Sequence, residues 1–106
     1  MQNRNEVIRQ IKELARRVLP ADASLLLYGS RARGDAHSES DWDLLILLDK
    51  NRVQLSDYDN YSYPFRELGW DIDQMISPII YTKNNWQENS FTPFYKNVEK
   101  DKIVLQ

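Results

Sequence analysis

Residues 44–48 read Leu-Leu-Ile-Leu-Leu, a run of apolar side chains with no polar interruption. Successive side chains of a β-strand point to opposite faces, so a strand that is apolar throughout must be covered on both faces. In a chain of 106 residues, which can bury one modest core, such a strand belongs in the middle of a small sheet. The run therefore predicts a central strand around which the rest of a single domain, residues 1–106, is packed.

Two further patterns lie on the N-terminal side of this strand. Apolar residues recur at spacings of three and four before Pro20, which predicts an amphipathic helix over residues 4–19. Residues 25–28 form a short apolar run that ends at Gly29, which is typical of a buried strand followed by a tight turn. Residues 30–36 are expected to begin a short helix.

The second half of the chain has weaker patterns. Residues 72–81 predict a third strand, and Pro78 places it at an edge or a bulge because proline cannot donate a ladder hydrogen bond. Thr92 followed by Pro93 is a helix cap and first turn, so we expect a helix over residues 92–100 that buries Phe94 and Val98. Residues 103–105 are expected to pack back on the sheet. Together these elements predict an α+β fold.

Composition limits the chemistry that is available. The chain has no cysteine and one histidine, so disulfides, thiolate sites and histidine-rich zinc sites are excluded, and any metal must be held by carboxylates. The net charge of −2 gives no general attraction to nucleic acid. No apolar run approaches the length of a membrane span or forms a signal core, so we expect a cytoplasmic protein without membrane contact.

Asp41 and Asp43 stand at the entrance of the predicted central strand. Two residues apart on a strand, their side chains share a face, with backbone positions roughly 6.6 Å apart at about 3.3 Å per residue. Two carboxylates at the start of an apolar strand repel each other unless a cation neutralises them. Mg²⁺ suits this position because it prefers a few carboxylate oxygens together with substrate phosphates.

Gly29 and Ser30 come directly after the preceding strand. Gly29 allows a sharp turn in which backbone N–H groups approach a phosphate, and Ser30 adds a hydroxyl and further N–H groups. Arg31 and Arg33 are candidates to pair with the same anion, Arg31 before Arg33. The sequence thus predicts a phosphate-binding turn that faces a metal site.

Gly29-Ser30, ten intervening residues and Asp41-x-Asp43 resemble the active-site signature of the polymerase-β-like nucleotidyltransferase superfamily. The fuller run Gly-Ser-Arg-Ala-Arg-Gly-Asp, with Ser-Asp-Trp-Asp-Leu after it, is similar to its small "minimal nucleotidyltransferase" branch. The resemblance implies a palm-like fold, a small mixed sheet with helices mainly on one face. It also implies that Asp41 and Asp43 bind Mg²⁺ or Mn²⁺ and that Ser30 binds a phosphate of a nucleoside triphosphate, ATP being the expected one.

The family also has a third carboxylate on a neighbouring strand. Asp71 and Asp73 share one face of the predicted third strand, and Asp73 lies closer to its apolar centre, so Asp73 is the preferred third catalytic and metal-binding residue. If the strand is instead registered on residues 76–79, Gln74 or Met75 fills the slot that faces the site. That alternative would leave the chain without a complete ligand set.

The resemblance implies transfer of a nucleoside monophosphate to an acceptor hydroxyl. The alternative is a catalytically weak or inactive nucleotide-binding subunit, an antitoxin-like partner of a second protein. A chain of this size has no second domain to enclose an acceptor, so we expect a partner protein or a second copy to complete the site. Residues 58–63 and 86–91 are the candidate contact surfaces, because exposed Tyr and Trp favour interfaces. Trp42 is expected in the core and His37 in an exposed loop.

Overall fold

The computed structural model describes residues 3–106. Helix α1 (Arg4–Val18) begins at Asn3, whose side chain accepts a hydrogen bond from the backbone N–H of Glu6. It buries one stripe, formed by Val7, Ile11, Leu14 and Ala15, and ends just before Pro20. The helix predicted over residues 4–19 is confirmed, and its apolar stripe faces the sheet core.

The sheet has four strands in the order β3-β2-β1-β4. Strand β1 (Ser24–Tyr28) pairs antiparallel with β2 (Trp42–Leu48) and with the two-residue β4 (Ile103–Val104), whereas β3 (Ile76–Thr82) pairs parallel with β2. The mixed sheet and the central position of β2 agree with the sequence prediction. The return of residues 103–105 to the sheet is confirmed as well.

The two faces of the sheet carry cores of unequal size. The larger core joins alternate residues of the strands to α1 and to Phe65 of α4 (Tyr63–Asp71). The smaller core contains Leu26, Leu45 and Leu47, covered by Trp86 of α5 (Lys83–Glu88) and Val98 of α6 (Pro93–Asp101). The α+β class is therefore the observed architecture, with α1 and α4 on one face of the sheet and α5 and α6 on the other. Strand β2 is covered on both faces, as its sequence predicts.

Strand β3 is an edge strand, and Pro78 explains why this edge stays open. The β2–β3 ladder continues without interruption from Trp42 beside Ile76 to Leu48 beside Thr82. Because proline has no N–H group, an unbroken ladder requires the nitrogen of Pro78 to face away from β2. The edge predicted from Pro78 is confirmed, although the strand is shorter than residues 72–81.

The segment before β3 differs most from the sequence expectation. Helix α3 (Leu55–Asp57) runs into a π-helix (Tyr58–Ser62) and then α4, which continues through Gly69 to Asp71. The π-turn is stabilised by the Ser62 hydroxyl, which donates to the carbonyl of Tyr58 at 2.9 Å. Asp71 and Asp73 therefore lie in a helix and a turn, and their predicted placement on one face of β3 is wrong.

In residues 3–106 no helix is both long and apolar enough to cross a membrane.

The C-terminal helices also require corrections. Helix α5 was not predicted, because its Asn-rich sequence has weak helix propensity; it is capped by the Thr82 side chain and anchored by buried Trp86. Helix α6 buries Val98 as predicted, but Phe94 is 39% exposed, so its predicted burial is wrong. Phe94 instead packs edge-on against Tyr28 and Trp86.

Candidate active site

The start of β2 carries the predicted pair of acids. Asp43 is the second residue of β2 and is half-buried, whereas Asp41 precedes the strand and is exposed. Asp43 shares its face with Leu45 and Leu47, so the acids lie at the end of the smaller core. Trp42, between them, is 1% exposed in the larger core, which confirms its predicted place.

Gly29 brings the end of β1 against Asp43. Its backbone has φ 75° and ψ −161°, a region that is essentially restricted to glycine. A Cβ at this position would overlap Oδ2 of Asp43 and lie 3.4 Å from its Cγ. The turn and the acid are thus in direct contact, and Ser30 opens the short helix α2 (Ser30–Arg33) beside them.

The electrostatics of Asp43 reflect this crowding. Burial raises the pKa of the Asp43 carboxyl, the charge of Asp41 raises it further, and the guanidinium of Arg33 opposes both. Beside it in the ladder, burial together with the charge of Asp43 and the neighbouring Tyr81 raises the pKa of the Tyr28 hydroxyl to about 12. A cation bound beside Asp43 would offset the repulsion from Asp41 that raises the pKa of Asp43.

Arg31 is occupied by the loop that leads to Asp41. Its Nε and Nη2 donate to the carbonyl of Ser40 at 3.1 and 2.9 Å, and Nη2 also reaches the carbonyl of Ser38 at 3.4 Å. The guanidinium lies 4.6 Å from the ring centroid of Trp42. These contacts give Arg31 a structural task, which is to hold residues 38–40 and so the approach to Asp41.

Arg33 is placed differently. Its side chain is 45% exposed and is paired with Asp35 at 3.1 Å and with Asp101 of α6 at 3.2 Å. The pair with Asp35 is exposed on both sides and contributes little to stability, whereas the side chain of Asp101 is 16% exposed. The charge of Arg33 also lowers the pKa of Asp43, so this guanidinium acts on the acid pair.

Asp73 lies just after the end of α4 and has a left-handed backbone conformation. It is the one non-glycine residue of the described chain with a positive φ, 57°, and the N–H of the following Gln74 donates to the carbonyl of Gly69 at 2.8 Å. This is the left-handed arrangement that ends α-helices. Asp73 therefore terminates α4, and within residues 3–106 no group of three or more His, Cys, Asp or Glu side chains is assembled to hold a metal ion.

The β3 position next to Asp43 is occupied by Ser77, a residue that the sequence did not point to. Ser77 of β3 is paired with Asp43 of β2, and its hydroxyl donates to Oδ2 of Asp41 at 3.2 Å. Neither of the predicted alternatives fills the slot. Gln74 instead accepts a hydrogen bond from the indole N–H of Trp42 at 2.9 Å, and the carbonyl of Met75 accepts one from the backbone N–H of Trp42. Only the strand register could have revealed Ser77.

The predicted contact surfaces are only partly exposed. Tyr58 and Tyr63 are 47% and 45% exposed, in line with the interface prediction, and Phe91 is 75% exposed. Trp86 is 1% exposed, so its predicted role at a surface is wrong. A further exposed aromatic side chain, outside the predicted surfaces, is that of Trp70, which is 64% exposed and packs edge-on against Tyr63. His37 is exposed, as expected.

The donor set suits a hard divalent cation. Two carboxylates meet at one strand entrance, one exposed and one half-buried, with a glycine turn against them. Mg²⁺ and Mn²⁺ take oxygen ligands and retain water or phosphate at their other positions. Asp41 and Asp43 would hold such an ion. Ser30 and the turn at Gly29 would then lie next to a phosphate that is bound to the ion.

Comparison with known proteins assigns the chain to a family. The model of the family described as "Nucleotidyltransferase domain" matches residues 7–105. Protein adenylyltransferase MntA of Aphanizomenon flos-aquae (strain 2012/KM1/D3) is 38% identical over an alignment of 58 residues, which covers 52% of this chain and 39% of that protein. The match therefore spans well under half of that relative's length.

Two solved structures share the fold. A toxin–antitoxin solved with AMP-PNP superposes with a TM-score of 0.65 at 18% identity, covering 93% of this chain and 72% of that one. A mutant of the toxin–antitoxin MntA-HpeT, with two aspartates changed to glutamate, gives a TM-score of 0.65 at 17% identity, covering 99% and 73%. At such identities the likeness concerns the fold.

Proposed function

Since this chain belongs to the nucleotidyltransferase domain family, we propose that it transfers AMP from ATP to a hydroxyl group on a partner polypeptide, with a divalent cation held by Asp41 and Asp43. The observation that carries the proposal is the contact between Gly29 and the carboxylate of Asp43, because it joins the phosphate-binding turn to the metal-binding acids. The adenylyltransferase relative supports the choice of AMP.

Each residue of the site has a task in this reaction. Ser30 and the N–H groups of its turn bind the triphosphate, and Arg33 leaves Asp35 and Asp101 to pair with it. The acceptor hydroxyl gives up its proton to water as its oxygen bonds to the α-phosphorus, the bond from the α-phosphorus to the bridging oxygen of the β-phosphate breaks, and pyrophosphate leaves with the electron pair. The cation, when bound, neutralises phosphate charge and favours the ionised acceptor. Positioning and charge stabilisation account for most of the rate in such reactions.

The surface next to the acids supports a polypeptide acceptor. Tyr63, Trp70 and Met75 are 45%, 64% and 59% exposed and follow α4 to the start of β3. The backbone carbonyl of Met75 accepts a hydrogen bond from the backbone N–H of Trp42, the residue that follows Asp41. The exposed apolar strip therefore continues to the edge of the site. Both structural neighbours are toxin–antitoxin proteins. We therefore place the acceptor protein on Tyr63, Trp70 and Met75.

The test is incubation with labelled ATP, GTP, CTP or UTP, with Mg²⁺ or Mn²⁺, alongside proteins that co-purify from the native source. Mass measurement of every protein present should show an addition of AMP on the partner. Asp43→Asn should abolish the addition, whereas Asp22→Asn, at an exposed turn, should leave it intact. Trp70→Ser should lower modification of the partner without lowering ATP binding. Rapid transfer to a free small molecule, unaffected by Trp70→Ser, would contradict the polypeptide acceptor.

A second candidate is a nucleotide-binding subunit with little turnover. Ser77 favours it, because the position beside Asp43 carries a neutral hydroxyl where the family resemblance implies a third carboxylate. The two candidates differ in one measurement. Tight binding of ATP with no AMP transfer in the presence of the partner would select the binding subunit.

A further inference from the structure

Ser77 contacts both halves of the acid pair. It is paired with Asp43 in the β2–β3 ladder, and its hydroxyl donates to Oδ2 of Asp41 at 3.2 Å. Asp41 is exposed and precedes the strand, so its carboxylate has few other restraints. The hydroxyl of Ser77 is the one hydrogen-bond donor to that carboxylate among the described residues.

The charge at this site is smaller than a two-ion site requires. Asp41 and Asp43 carry two negative charges, which balance one divalent cation. No third acid joins them in residues 3–106, because Asp71 ends α4 and Asp73 occupies the turn after it. A serine hydroxyl adds an oxygen but no charge, and the affinity of an oxygen-ligand site depends on its number of charged ligands.

We propose that Ser77 is a positioning residue that makes this a single-ion site in the nucleotide-free chain. Its hydrogen bond holds Oδ2 of Asp41 and would leave the other carboxylate oxygen available to a cation. A second divalent ion would need further negative charge, which the oxygens of a bound triphosphate would supply. This inference depends on the roles proposed for Asp41 and Asp43, but not on turnover or on the identity of the acceptor.

The experiment counts Mn²⁺ ions. Mn²⁺ is titrated into the full chain without nucleotide and followed by electron paramagnetic resonance and calorimetry. Wild type should bind one equivalent. Ser77→Ala should weaken that binding on the order of tenfold, as loss of a hydrogen bond to a ligand does, and Ser77→Thr should restore it because it keeps the hydroxyl. A structural role alone would not produce this pattern of loss and rescue in metal affinity.

Ser77→Asp gives the complementary result. It adds the third carboxylate beside Asp43, so it should tighten Mn²⁺ binding by on the order of tenfold or more and admit a second equivalent. The matched control is Ser24→Asp, which adds the same charge at the other end of the sheet, where Ser24 pairs with Leu47. Circular dichroism confirms that each variant is folded.

Three outcomes would overturn the proposal. These are a wild type without nucleotide that binds two equivalents of Mn²⁺ or none, a folded Ser77→Ala variant that binds Mn²⁺ as tightly as wild type, or a folded Ser77→Asp variant whose Mn²⁺ binding equals that of Ser24→Asp. A failure of AMP transfer is a separate result. If Mn²⁺ binding follows the expected pattern while no transfer occurs, the single-ion site stands and the proposed reaction does not.

Discussion

Gly29 and Asp43 are packed so closely that no side chain fits between them. A Cβ on Gly29 would overlap Oδ2 of Asp43 and lie 3.6 Å from its Cβ. The backbone at Gly29, with φ 75°, is also one that L-residues rarely adopt. This contact therefore couples the backbone of the turn at Gly29 to the orientation of the Asp43 carboxylate, the two parts to which we assign phosphate and metal binding.

Gly29→Ala tests that contact. The substitution should cost about 1–3 kcal/mol of stability through backbone strain, and it should displace the Asp43 carboxylate enough to lower AMP transfer roughly 100-fold. Gly34→Ala is the matched control, because Gly34 also has a positive φ, 88°, but a Cβ there would meet nothing within 4 Å. Thermal denaturation and a transfer assay on both variants provide the measurement. Equal losses of activity in the two variants would contradict the proposed contact.

Asp43→Asn should separate stability from function. Asp43 is half-buried beside a second acid, so removal of its charge relieves repulsion and should raise the melting temperature of the metal-free chain. The same change should abolish AMP transfer and most of the thermal shift that Mg²⁺ and ATP give to wild type. Melting curves with and without Mg²⁺-ATP measure both effects. Unchanged turnover in Asp43→Asn would refute the metal-binding role.

The sequence predicted the elements better than it predicted the site. The central strand follows from residues 44–48 and the edge strand from Pro78, because each pattern is local. The neighbour of Asp43 depends on the register between β2 and β3, and a shift of one residue exchanges every side chain between faces. Ser77 was missed for that reason. Asp73 was misplaced because α4 continues to Asp71 and β3 begins only at Ile76, so the first residues assigned to the third strand lie in a helix and a turn.

Arg31 and Arg33 should respond differently to substitution by glutamine. Arg31→Gln removes three hydrogen bonds to loop carbonyls and a cation–π contact, so it should lower stability by about 1–3 kcal/mol. Arg33→Gln removes two ion pairs made by a guanidinium that is itself 45% exposed, so stability should change by less than about 1 kcal/mol. Its effect should instead be a raised KM for ATP. Denaturant unfolding and steady-state kinetics distinguish the two, with Arg16→Gln on exposed α1 surface as control.

Asp73→Gly tests whether this acid is a ligand or a helix terminator. Glycine adopts the φ of 57° without strain, so the substitution should stabilise the chain by about 1 kcal/mol and leave Mn²⁺ binding and transfer unchanged. Asp73→Ala removes the same carboxylate but keeps the strain, so it should be the less stable variant. A loss of metal binding in both would return Asp73 to the third-ligand role.

Asp57 of α3 is paired with Lys50, which follows the end of β2, and we expect this acid to control the stability of the fold at low pH. Its side chain is 5% exposed and accepts from the Lys50 ammonium at 2.9 Å and from the backbone N–H of Gln54 at 2.8 Å. Burial alone would raise the pKa of Asp57, but these two donors together lower it below its usual 3.8. The folded state is therefore stabilised by the ionised carboxylate.

The sign of the pH effect follows from that lowered pKa. Above about pH 4 both folded and unfolded chains carry ionised Asp57, so its contribution is fully present; as the pH falls through the lower pKa of the folded state, the contribution is lost. Asp57→Asn should cost about 1–3 kcal/mol at pH 7, because it leaves the Lys50 charge without its partner. The cost should shrink as the pH falls below 3.8, where wild type loses the same interaction. Urea unfolding of both proteins between pH 2.5 and pH 7 provides the measurement. A stability difference that stayed constant across this range would show that the Asp57 charge does not stabilise the fold.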